Sequence, residues 1–195
     1  ALAFFLFFHY VLFYWGCYRL FRFFQLQPWP ATLFALSLAS SGLSLSLHSL
    51  GHVLVSMVSI PWFFYFLFMW QKNKDRKFLF LPIGAFMAWP IYGGDPQISY
   101  FLAIFFVLFH LFHLYLRKKS GGQSSWLSVS SFFCVGISAF FFSAAQLLPT
   151  AELALQSART TSSIADVLLF SFHPIRLLEF FFPLFFGNRL GFETY

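Results

Sequence analysis

The chain has 195 residues, 59% hydrophobic and only 9% charged, with a formal net charge of +6. An ordinary soluble domain carries about 25% charged residues, so water is excluded as its main solvent. The 34 Phe residues come in runs such as FFLFF at 4–8 and FFF at 140–142, which excludes the alternation of an outer-membrane barrel and leaves helices.

A bilayer core of roughly 30 Å needs about 20 apolar residues at about 1.5 Å each. In chain order, windows of that kind fall at 1–18, 31–47, 51–70, 78–92, 98–116 and 126–148. The predicted fold is an all-α polytopic transmembrane bundle of about six segments over 1–148. RLFR at 19–22, QKNKDRK at 71–77, GGDPQ at 93–97 and RKKSGGQ at 117–123 separate the segments. The second is rich in Ser, which helix interfaces in membranes accept because small hydroxyl residues allow close approach. The fourth is short and carries Pro82 and Pro90, which predicts a kinked or re-entrant piece and leaves open whether 78–116 spans twice.

Alternating these crossings puts Arg19, Arg22, Lys72, Lys74, Arg76, Lys77, Arg117, Lys118 and Lys119 on one side. Lys and Arg are retained in the cytoplasm during insertion, so that side is predicted to be cytoplasmic. The positive charge is a topology signal and predicts no nucleic-acid partner. The same parity puts Ala1 outside, in mid-hydrophobic run without a basic leader, so a preceding helix and external loop are expected, with further sequence after Tyr195.

Polar residues near the spans are the candidates for chemistry. Cys17 and Cys134 have no second ligand nearby and are expected to pack in the core. His48 and His52 are four apart, the spacing that shares one helical face, but no glutamate follows His48 as zincin chemistry requires; polar edge residues are the better reading. His110 and His113 are expected to anchor at an interface. GGDPQ is a tight turn on the outer face. As a turn it needs neither Asp95 nor Gln97; as a site those two supply a carboxylate and an amide at headgroup level.

The stretch 149–195 is predicted to lie outside as interfacial helices, because His173, Pro174, Arg176, Glu179 and Pro183 interrupt its apolar half. Arg159, Arg176 and His173 would then form a cationic rim able to hold a phosphate by charge-assisted hydrogen bonds, alongside the alternative of plain anchoring.

Four stretches carry a family resemblance: HYVLFYWGCYRLFRFF at 9–24, GGDPQISY at 93–100, AAQLLPTAELALQSAR at 144–159 and FFPLFFGN at 181–188. Their order resembles the YfhO-type family of bacterial integral membrane proteins. That family shows a Gly-His-Pro-Gln or similar turn, then Leu-Leu-Pro-Thr with Glu and Ser-x-Arg, then Pro-x-x-Phe-Gly. This sequence has Asp95 where the turn often has His. The resemblance implies a GT-C-like glycosyltransferase of the bacterial inner membrane. Its partners would be membrane lipids, a polyprenyl-phosphate-linked sugar donor and a cell-envelope acceptor. Arg159, Arg176 and His173 would be phosphate ligands, with Asp95, Gln97 and Glu152 as supporting groups. The catalytic carboxylate of such enzymes lies in the first external loop, expected before Ala1. No cofactor is implied with certainty, and a divalent metal stays open. A flippase for a lipid-linked saccharide and a scaffold without turnover are the competing readings.

Overall fold

In the computed structural model, whose described residues are 2–41, 51–72, 77–119 and 126–156, every long apolar run is helical and no strand occurs among those residues. The all-α expectation holds. The helices are α1 (Leu2–Phe23), α2 (Pro28–Ala39), α3 (Gly51–Met57), α4 (Ser59–Lys72), α5 (Phe80–Gly93), α6 (Pro96–Lys119) and α7 (Trp126–Gln156), with a 3-10 turn at Lys77–Leu79 before α5. The chain divides into two compact units, 1–150 and 151–195. Of the second, 151–156 are described, and they are helical.

Among the described residues, four stretches are long and apolar enough to cross a membrane: Leu2–Phe23, Gly51–Lys72, Pro96–Leu116 and Phe132–Gln156. Their surfaces identify the solvent. Phe101, Phe105, Leu108 and Phe112 form an exposed stripe along α6, and Phe133, Ile137, Phe140 and Phe141 form another along α7. Apolar patches of that extent are untenable in water, whereas helices whose backbone bonds are internally satisfied tolerate lipid. The chain is a multi-pass membrane protein.

The Gly51–Lys72 stretch is the most enclosed, 44% buried against 17% for the α6 and α7 spans, so the bundle is built around it. It is not one smooth helix. Pro61 has no N–H for the carbonyl of Met57, and the helix breaks at Val58. Two hydroxyls bond to backbone carbonyls beside the break: Ser59 Oγ donates to Ser56 O (2.7 Å) and Ser56 Oγ to His52 O (2.9 Å). α1 runs parallel to this span. Trp62 Nε1 donates to Leu12 O (3.1 Å), and Arg19 donates to the Tyr65 hydroxyl (2.8 Å) nearer the Lys72 end. Phe13, Cys17, Ala35 and Val58 fill the seam between α1, α2 and this span. Cys17 is thus a packing residue, and both Cys17 and Cys134 are free thiols.

The fourth segment is one continuous helix, α5, shorter than the four candidate spans. It runs antiparallel to α3–α4 without folding back, with Trp89 Nε1 donating to Val55 O (3.0 Å) and Phe86 stacking on Phe66 (5.8 Å). Pro82 sits in its first turn, where the missing N–H has no intrahelical partner to lose. At 14 residues α5 is about 21 Å long, yet Ile83, Gly84, Met87, Ala88 and Pro90 are buried. Of these, Ile83 and Met87 join Phe63, Leu67, Leu102, Phe106 and Val135 in the main core. Elsewhere the boundaries shift from expectation. α2 begins at Pro28, with Gln27 preceding Pro28 at the first helical position, and 42–50 lie outside the described residues. α7 continues through Pro149 to Gln156, and the Thr150 hydroxyl donates to Gln146 O (2.7 Å) beside the proline.

Candidate functional site

The joint between α5 and α6 builds its geometry from five consecutive residues. Gly94 adopts φ 87°, a left-handed conformation that a Cβ penalises, and its N–H bonds to Ile91 O (3.3 Å) while Asp95 N–H bonds to Pro90 O (3.0 Å). These two bonds close α5 as a Schellman motif. Asp95 Oδ1 then accepts the Gln97 N–H (3.2 Å), capping α6, whose first residue is Pro96. Asp95 therefore has a structural task in the turn, contrary to the expectation that a plain turn needs no carboxylate there. It uses one oxygen for the cap and is half-buried, while the Gln97 side chain is exposed.

This joint rests on the start of α3. The Gly94 backbone approaches the His52 Cβ, and Ser56 Oγ reaches Pro90 O (3.3 Å) as well as His52 O. His52 is thus placed beside the joint; its partner in the paired-imidazole reading, His48, lies outside the described residues. No group of three or more His, Cys, Asp or Glu residues able to hold a metal exists among the described residues.

Beside the joint, α5, α6 and α7 enclose a groove of about 280 Å³. Met87, Ala88 and Ile91 form one wall, Pro96, Ser99, Tyr100 and Ala103 the second, and Ala139, Phe140, Ser143 and Leu147 the third. Small residues make it. Ala88, Ser99, Ala103 and Ala139 leave space that larger side chains would fill, and Gly84 brings α5 and α7 together below it. Ser138 Oγ pins this close approach by donating to Phe80 O (3.0 Å), and the Tyr92 hydroxyl donates to Phe142 O.

The groove is almost wholly apolar. Ser143 Oγ is committed to Ala139 O (2.8 Å) and Phe140 O (3.1 Å), whereas Ser99 Oγ is buried without a hydrogen-bond partner. A buried unpaired hydroxyl costs about 1–3 kcal/mol. The volume is nearly twice that of an engineered cavity of about 150 Å³, although this groove is open where that cavity is closed.

Of the residues expected to form a site, Asp95 and Gln97 are brought together at this joint. Glu152 is exposed on the last two turns of α7 and belongs to the second unit. Arg159, His173 and Arg176 lie outside the described residues. Sequence reasoning missed Ser99, which nothing in composition or spacing distinguishes from the other serines. It also missed the cap, which the order Gly94-Asp95-Pro96 could have announced as helix end, N-cap and first helical residue.

Fold and surface define the class as a multi-pass α-helical membrane protein. No protein-family model, curated protein or solved structure matches the chain.

Proposed function

We propose that the chain is part of an enzyme that transfers a sugar from a polyprenyl-phosphate carrier to a cell-envelope acceptor at the outer face of a bacterial cytoplasmic membrane. The observation that carries the reading is the apolar groove between α5, α6 and α7, which adjoins the polar joint at Asp95. A carrier lipid needs that combination, hydrocarbon space continuous with a polar site where its phosphate emerges. The resemblance of GGDPQISY, AAQLLPTAELALQSAR and FFPLFFGN to the YfhO-type family supports it. The concentration of Lys and Arg at the opposite helix ends favours an outward-facing joint.

In this reaction an acceptor hydroxyl attacks the anomeric carbon as the bond from that carbon to the phosphate oxygen breaks. The acceptor proton passes to a carboxylate base, and the polyprenyl phosphate leaves with the extra negative charge. Arg159, Arg176 and His173 are the proposed ligands of that phosphate, because fixed cations aimed at developing charge lower the barrier. Asp95, Gln97 and Glu152 are the proposed supporting polar groups, Asp95 through the oxygen not used for the cap.

The test is release of radiolabelled sugar from polyprenyl-phosphate sugar by the full-length protein in lipid. Ala88→Phe and Ala103→Phe, which fill the groove, are expected to abolish release, and Arg159→Ala with Arg176→Ala to weaken donor binding. Absence of release from the unaltered protein would refute the transferase reading. Tight donor binding without release would instead favour a flippase.

A further inference from the structure

We infer that the Lys72 end of α1 and α4 is a binding site for the phosphate of an anionic glycerophospholipid. Arg19, Arg22 and Lys72 are exposed there, and two of them, Arg19 and Lys72, lie against a pair of packed aromatic rings. The Arg19 guanidinium lies 5.2 Å from the Tyr65 ring centroid and donates to the Tyr65 hydroxyl, and Lys72 Nζ lies 5.6 Å from the Phe23 centroid. Phe23 joins the two by packing edge-on against Tyr65 at 6.3 Å. Arg22, adjacent to Phe23, donates to Leu26 O (2.9 Å). A guanidinium has five N–H donors and an ammonium three, so these contacts orient the cations and leave donors for an anion.

Among the described residues, the first unit supplies little to neutralise them. Asp95 is the one carboxylate among the described residues of the first unit, and it sits at the opposite ends of the helices. In the sequence that follows Lys72, Asp75 is outnumbered by Lys74, Arg76 and Lys77. An anion is therefore favoured, and phosphate is the anion a bilayer presents at the ends of its spans. The adjoining surface selects the lipid over free phosphate. Phe24 is 53% exposed and packs against Phe68 at 5.4 Å, giving an apolar flank next to the charges that an acyl chain can cover and an inorganic ion cannot. This site is separate from the groove and independent of the transferase reading.

The test is native mass spectrometry of the full chain in detergent micelles, titrated with phosphatidylglycerol and with phosphatidylcholine of the same acyl chains. Phosphatidylglycerol is expected to bind about a hundredfold more tightly, and excess inorganic phosphate to leave it in place. Each cation near a membrane surface contributes about fivefold, so Arg19→Gln, Arg22→Gln and Lys72→Gln together are expected to weaken it about a hundredfold. Phosphatidylcholine binding should not change. Should the triple variant lose helicity, Lys72→Gln alone, expected to weaken binding about fivefold, carries the test, and Lys72→Arg should restore it. Equal affinity for the two lipids, unchanged binding in a folded charge-neutral variant, or displacement by inorganic phosphate would overturn the inference.

Discussion

Gly84→Ala is the most searching perturbation of this bundle. A Cβ at Gly84 would lie 2.7 Å from the Ala139 backbone nitrogen and 2.9 Å from the Ser138 Cβ, with Ser138 Oγ closer still. Relaxed non-bonded separations are about 3.5–4.0 Å, so α5 and α7 must part by about 1 Å. Overpacking of that kind costs about 1–3 kcal/mol. Parting the helices also stretches the bond from Ser138 to Phe80 O, worth about 0.6 kcal/mol in a membrane. The sum, about 2–4 kcal/mol, should lower the thermal midpoint by about 4–14 °C in a chain of this size. The assay is a fluorescence melt in detergent micelles with Gly136→Ala as control, since nothing lies within 4 Å of a Cβ there. Ser138→Ala added to Gly84→Ala should restore only part of the loss, because the clash with the Ala139 backbone persists. A Gly84→Ala midpoint within about 2 °C of the unaltered protein, or full rescue by Ser138→Ala, would refute the close approach.

Gln25 ends α1 at φ 64°, a left-handed conformation that costs a side chain about 1–2 kcal/mol, so Gln25→Gly should raise the midpoint by a few degrees in the same melt. Ser99→Ala removes a buried hydroxyl without a partner and should stabilise the empty groove by about 1 kcal/mol; destabilisation would show that the hydroxyl has a partner. Asp95→Ala should cost about 1 kcal/mol through the lost cap, whereas Asp95→Asn should retain the cap and the midpoint. If Asp95→Asn nevertheless loses sugar release, the carboxylate acts in the reaction as well as in the turn.

The spans were legible because a run of Phe and Leu without charge admits few structures. Lys72 and Lys119 indeed close their helices. Tertiary detail was less legible. The prolines of the fourth segment suggested a kinked or re-entrant piece, but Pro82 falls harmlessly in a first turn, and the burial of Ile83, Met87 and Ala88 in α5 is a property of the assembled bundle. The turn at 93–97 was legible as a turn, yet the division of labour within it, Gly94 for the backbone and Asp95 for the cap, depends on which helix end each residue faces. The groove depends on small residues from three separate helices, none of which is unusual in its own segment.

The aromatic contacts along α4 and α6 bear on how the bundle can move. Phe64 meets Phe105 at 4.8 Å, Phe68 meets Phe109 at 6.0 Å, and Gln71 Nε2 lies 3.5 Å from His113 Nδ1. The first two pairs repeat at one helical turn, so they work like teeth in a rack. A small slide of one helix past the other would drive ring into ring, and the next register at which the teeth mesh is a full turn away, about 5.4 Å. A slide along this seam would therefore have to break both ring contacts together.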